Sequence, residues 1–366
     1  MKYDLQPTLP APSNTIGVVA WMRKHLFNGP ISSVATIILG YFLISWLIPI
    51  VQWTILDADL FGESRDACTS GGACWVFINV RLNQFLYGFY PAEEYWRLNL
   101  AFVLLIGSII WLVLPRTPFK GWMAIFLLVV FPVIAYFLLY GNSFGLMQVE
   151  THLWGGLSLT LVLAVVGIVA SLPLGILLAL GRQSEMPIVR SVCIIFIEIW
   201  RGVPLITVLF MASVMLPLFF PEDMSFDKLL RALIGITLFQ SAYMAEVIRG
   251  GLQAIPKGQY EAADALGLGY WQKMILIIMP QALKLMIPGI VNTFIALFKD
   301  TSLVLIIGLF DLLAIGQAAN QDPKWIGYST ESYIFVALMF WVFCFSMSRY
   351  SMHLEHKLHT GHSNRA

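Results

Sequence analysis

Residues 261–280 read EAADALGLGYWQKMILIIMP, from Glu261 to Pro280. Ala262, Ala263 and Ala265 give a short predicted helix a small-residue face. Gly267 and Gly269 supply the backbone freedom for a tight turn, and a second short helix leads to Pro280. Two short helices with a small face and a glycine turn have the shape to fit a groove on another protein. The stretch lies inside a segment, 250–284, flanked by apolar runs of the roughly 20 residues that a spanning helix needs. A docking element between two membrane spans therefore organises the reading of the chain.

Composition agrees. The chain of 366 residues is 58% hydrophobic and only 12% charged, with mean hydropathy +0.78, far from the balance of a soluble domain. The expected fold is all-α, a polytopic membrane bundle of about eight transmembrane helices. The predicted spans are 32–52, 98–115, 121–140, 153–180, 190–218, 229–249, 285–308 and 332–350. The first apolar run is too long for a signal-peptide core and lacks a small-residue cleavage site, so it reads as an uncleaved span. A net charge of +1 and the lack of a basic stripe with interleaved aromatics give no reason to expect nucleic acid.

Orientation follows from Lys and Arg in short loops. Lys2, Arg23 and Lys24 precede the first span, and Arg116 and Lys120 follow the second. Arg182, Arg190, Arg249, Lys257, Lys273 and Lys284 fall in later loops on the same side, and Arg349, Lys357 and Arg365 in the tail. Arg65, Arg81 and Lys228 run against the pattern. The rule places both termini and the 250–284 segment in the cytoplasm.

The same residues carry a resemblance. Glu261, Ala262, Ala263, Gly267, Ile277 and Pro280 fall at the spacing of the EAA loop in membrane subunits of bacterial ABC importers, with Met279 where Leu is usual. Further motifs resemble the polar amino acid branch of that family: Arg201-Gly202-Val203-Pro204-Leu205, the run Ser241 to Gly251, Ile255-Pro256-Lys257-Gly258-Gln259, and Lys299-Asp300-Thr301-Ser302-Leu303. The resemblance covers about 151–352 and implies a five-helix permease core with a coupling loop at 250–284. The first 150 residues would be an N-terminal arm (1–30) and an extension (31–150) with three spans and an outer loop near 53–97. Residues 353–366 would form a cytoplasmic tail. Such an extension resembles the larger permease subunit of general L-amino acid transporters.

The resemblance further implies a permease subunit in the bacterial inner membrane that takes up polar L-amino acids from the periplasm. It implies a second, homologous permease, two ATPase subunits and a periplasmic amino-acid-binding protein as partners, besides membrane lipid. Glu261, Ala262, Ala263 and Gly267 would contact the ATPase. The chain has no GxxxxGK[ST] phosphate loop of its own, and no GxSxG, HExxH or paired CxxC. It is expected to be non-catalytic and to bind no cofactor or metal, with ATP and Mg held by the partner. The rival reading is an ion-gradient-driven secondary transporter or channel, which would have no use for the EAA loop.

Asp300 interrupts an apolar run. Thirteen residues from Ile287 at about 1.5 Å each put it ~20 Å into the membrane, where a charge costs on the order of 3 kcal/mol. Two readings remain open: an acceptor for a substrate ammonium, aided by Thr301, Ser302 and carbonyls freed by a local break, or an ion pair with another helix. Arg201 is likewise either a donor to a substrate carboxylate or a snorkelling cation near the inner interface. Pro204 is expected to kink its helix, and Glu246 to pair with Arg249 at i,i+3. The aromatic-rich loop 51–97 is either an interfacial belt or a docking surface for a binding protein. Cys68 and Cys74, in CTSGGAC, are either a disulfide or two free thiols in an oxidising compartment. His353, His356, His359 and His362 read as a solvated tail beside anionic headgroups rather than as metal ligands.

Overall fold

The computed structural model describes residues 17–358 apart from 115, 144 and 222–225. Expectations resting on Lys2, His359, His362 and Arg365 lie outside the described residues. By packing, the chain forms two compact units, Met1–Asn79 and Val80–Ala366.

In the first unit, a short helix α1 (Val18–His25) carries Arg23 and Lys24 in its last turn, cations that suit the negative end of a helix dipole. Helix α2 (Pro30–Val51) starts on a proline, which costs nothing in the first turn. It is apolar all round and buries no residue, as a helix solvated by lipid can afford. Pro49 lies just before a π-helical turn, Gln52–Leu56. The loop beyond it is tied together locally. Cys68 and Cys74 are joined by a disulfide with Cα atoms 5.6 Å apart. The Asp59 N–H donates to Ala73 O and the Trp75 N–H to Asp59 O, both at 2.9 Å.

Helix α3 (Val76–Tyr87) leads into the second unit, followed by α4 (Tyr95–Val113). Helices α5 (Lys120–Ile125) and α6 (Phe131–Tyr140) are joined by a π stretch into one span, Lys120–Tyr140. The next spans are α7 (Gly156–Arg182) and the pair α8 (Pro187–Gly202) and α9 (Leu205–Phe210). The expected single span 190–218 is bent by 101° between Gly202 and Leu205, because Pro204 lacks the N–H that would continue the ladder. Helix α10 (Lys228–Ala254) has 27 residues, about 40 Å of helix. Among the described residues, six helices are long and apolar enough to cross a membrane, or seven if the bent pair is one span. Helix α10 carries Lys228, Arg231, Glu246 and Arg249 and is the less apolar eighth of the predicted spans.

After α10 come α11 (Lys257–Ala265), α12 (Tyr270–Lys273), a π turn Met274–Ile278 and α13 (Met279–Leu285). Helix α14 (Ile287–Asp300) tightens into a 3₁₀ stretch, Thr301–Ile307. This change of winding falls inside the predicted span 285–308, at the local break considered beside Asp300. A short helix α15 (Leu312–Asn320), not separated in the sequence analysis, precedes α16 (Ser329–Leu358). Its start is set by the buried Asp311, which accepts hydrogen bonds from Leu313 N at 3.1 Å and Ala314 N at 3.0 Å, satisfying free first-turn donors.

Helices α7 and α10 make the most extensive pairing. Small residues on α7 permit it: a Cβ on Gly175 would stand 2.6 Å from Met244 Cγ, and one on Gly167 3.3 Å from Ile236 Cγ2. In lipid, where the hydrophobic effect does not drive helices together, such close approach is a main source of association. Two buried apolar clusters result. One, around Leu159, Leu209, Ile236 and Leu309, lies toward the start of α10. The other, around Ala179, Ile197, Ile248 and Leu252, takes in Met274, Ile278 and Ala282 and so anchors the 257–285 segment.

Candidate functional site

The motif segment folds as two short helices around a left-handed glycine. Gly267 has φ +72. Its N–H donates to Asp264 O at 2.9 Å, and the Leu268 N–H reaches back to Ala263 O at 3.2 Å. These two bonds are a Schellman ending, which needs the left-handed residue at that point. Gln272 Oε1 accepts from the Gly269 N–H at 3.1 Å and starts the second helix. The segment is tied to the spans by Tyr260 Oη on Leu252 O at 3.3 Å and by Gln281 Nε2 on Gln259 Oε1 at 3.1 Å. Burial raises the Tyr260 phenol above its ordinary pKa, opposed by nearby Lys273.

Of the four predicted coupling residues, Glu261, Ala262 and Gly267 are exposed and Ala263 is buried. Beside them Leu266 is 76% exposed and Trp271 61%. Apolar side chains left open next to a rigid turn are what a protein partner would cover.

Above this segment lies a charged cluster that the sequence disclosed only in part. Glu246 receives Arg249 at 2.7 Å, as its i,i+3 spacing predicts, and Arg182 of α7 at 2.7 Å. Arg182 also reaches Glu198 of α8 at 3.0 Å. Arg201 stands 3.8 Å from Glu246, with its guanidinium 5.7 Å from the centre of the Tyr243 ring. Three arginines face two glutamates, leaving one net positive charge where α7, α8 and α10 converge. Arg182 and Glu198 were missed because packing alone brings Arg182 to Glu246, 64 positions on, and Glu198 to Arg182, 16 positions away.

Asp300 is half-buried at the end of α14, and among the described residues its carboxylate has no hydrogen-bond or ion-pair partner. Among the described residues, the ion pair with another helix is thus not made. Thr301 is buried and donates to Phe298 O at 2.7 Å, and Ser302 donates to Lys299 O at 2.9 Å. Both hydroxyls are engaged on their own helix at the expected local break. Arg201 is in a different cluster, and the structure does not bring it together with Asp300 by any direct contact.

In the loop before α3, the Ser70 hydroxyl and N–H hold the Asp59 carboxyl below its usual pKa. Of the tail histidines, His353 and His356 are on α16, and no group of three metal-ligating side chains occurs among the described residues.

Residues 171–360 match the family of binding-protein-dependent transport system inner membrane components. The chain belongs to this family. As an importer permease, it is a multi-pass protein of the inner membrane. It is 56% identical to the inner membrane amino-acid ABC transporter permease protein YhdY of Escherichia coli K12, over 97% of each chain. It is 43% identical to the glutamate/glutamine/aspartate/asparagine transport system permease protein BztC of Rhodobacter capsulatus, over 96% of each. A solved amino acid ABC transporter crystallised with histidines is 29% identical, covering 55% of this chain and 92% of that one at a TM-score of 0.49.

Proposed function

We propose that the permease imports polar L-amino acids and is driven by ATPases that dock on α11 and the Gly267 turn. The observation that carries this reading is the rigid, Schellman-closed turn with Glu261, Ala262, Leu266 and Gly267 open around it. The amino-acid permeases YhdY and BztC, matched over nearly the whole chain, support the substrate class. The docked surface would lie in the cytoplasm together with both termini. A second permease, two ATPases holding ATP and Mg, and a periplasmic binding protein complete the assembly, and this chain supplies no cofactor of its own. The segment must fit the closed and open ATPase unequally, since a partner that binds two states alike shifts neither. Residues 151–352 would form the moving core and 31–150 an appended region.

Co-purification tests the reading. Glu261→Arg and Gly267→Asp should each strip the ATPase from a complex in which this chain and the second permease stay together. If the wild type carries no ATPase even after mild cross-linking, the reading fails.

Asp300 is the proposed acceptor for the substrate ammonium, because an unpaired carboxylate so deep in a span is expensive without a cationic ligand. Asp300→Asn should lower uptake at least tenfold while leaving assembly intact. Normal uptake by this variant would remove Asp300 from the pathway.

A further inference from the structure

Two cavities in the second unit adjoin at the end of the bundle opposite the 257–285 segment, and they differ in chemistry. One, of about 600 Å³, is apolar and runs between α4, α6 and α7, with Leu105, Phe131, Val166 and Ala170 among its walls. The other, of about 290 Å³, is lined by Glu150, His152, Asp227 and Lys228. Tyr140, Thr151 and Asp227 line both. The apolar cavity extends along α7 to Ala170, ~20 Å from the start of that helix. That is more than half of the roughly 30 Å hydrocarbon thickness.

We propose that the pair of cavities holds one phosphatidylethanolamine from the adjacent leaflet, with one of its two acyl chains between α4, α6 and α7, the other out in the bilayer, and its headgroup in the polar pocket. Three observations choose this occupant. Length and apolarity suit a single acyl chain of one leaflet. A helix ~10 Å across over the same distance would need roughly 1,600 Å³, far more than the cavity offers. The polar pocket presents both signs of charge: Lys228, whose ammonium lies over Gly308, for the phosphate, and Asp227 and Glu150 for the ammonium. An anionic lipid would bring those two carboxylates only neutral glycerol hydroxyls and no cation.

The fixed geometry of the pocket favours binding. Asp227 is held by the Leu230 N–H at 3.0 Å and by the Thr151 hydroxyl, so α10 and the segment before α7 are already joined at its floor. A lipid seated there would fill the seam between α4–α6 and α7 without a helix of its own. The inference does not depend on what the permease transports.

The test uses the assembled transporter in nanodiscs of equal phosphatidylethanolamine, phosphatidylglycerol and cardiolipin, released into mild detergent for native mass spectrometry. The expected result is one phosphatidylethanolamine retained per copy of this chain. Val166→Trp, which fills the apolar cavity, should lower retention at least fivefold. Lys228→Glu, an exposed change that leaves the core alone, should abolish the preference for this lipid. Wild-type complex that retains no lipid, or retains phosphatidylglycerol equally, overturns the proposal. So does photo-cross-linking from position 166 to a peptide of this chain or of the second permease in place of lipid.

Discussion

Two left-handed glycines, Gly88 and Gly267, stand at opposite poles of what a glycine can mean. Gly267 has φ +72 and no atom within 4 Å of where a Cβ would go. Gly88 has φ +68, and a Cβ there would lie 2.3 Å from Gly155 Cα. Around Gly88 the chain is fully interlocked: Gly155 and Gly156 pair with Phe310 and Asp311, and a Cβ on Gly156 would stand 2.3 Å from Phe85 O. Thr160 Oγ1 accepts from the Leu312 N–H at 3.0 Å in the same neighbourhood. Gly267 turns the chain at an open surface. Gly88 lets separated stretches of backbone touch. Both have the same backbone conformation, so conformation alone does not separate a docking residue from a packing residue.

The same substitution at both sites should therefore have unequal effects. Gly88→Ala sets a methyl against backbone that cannot rotate away, and should destabilise the fold by on the order of 3 kcal/mol. The expected readout is a large loss of folded protein in the membrane and a lowered melting temperature in detergent. Normal yield and melting would show that the 88–155–310 junction yields easily, and would break the comparison.

Glu246→Gln probes an intermediate case, a charge cluster joining three helices. It removes the carboxylate that faces Arg182 and Arg249 while keeping size. The side chain is 15% exposed, so water screens part of the loss, and about 2 kcal/mol is expected rather than the full cost of an unpaired buried charge. A double-mutant cycle with Arg182→Gln should show coupling between α7 and α10; additive effects would reduce the cluster to surface ornament.

Gly267→Ala should have the smallest effect on the fold. The left-handed strain costs ~1 kcal/mol and nothing collides, so the melting temperature should move little. The change should instead appear as weaker ATPase retention. A drop in melting as large as that of Gly88→Ala would mean that the turn is part of the core.

The Gly267 turn was legible in the sequence because its determinants are consecutive. Helix, left-handed glycine and second helix are local, and their spacing along the chain is their spacing in space. The same holds for the apolar spans, for the kink at Pro204, and for the pairing of Glu246 with Arg249 one helical turn away. The charged cluster was half legible: Arg182 and Glu198 enter it from other helices, and no local signal ties them to Glu246. The junction was not legible. Nothing along the chain ties Gly88 to Gly155 and Gly156, which fall at the start of the predicted span 153–180, or these to Phe310. Asp311, which the sequence analysis did not single out, is the buried cap that starts α15.

The sequence by itself determined that this chain is a helical membrane protein with a glycine-centred helix–turn–helix between spans, because hydrophobic length and turn chemistry act over a few residues at a time. Tertiary structure alone decided which spans touch, where α14 tightens after Asp300, and which charges share a cluster. Those outcomes depend on how closely backbones can approach, a property of pairs of helices that neither strand of the pair carries alone.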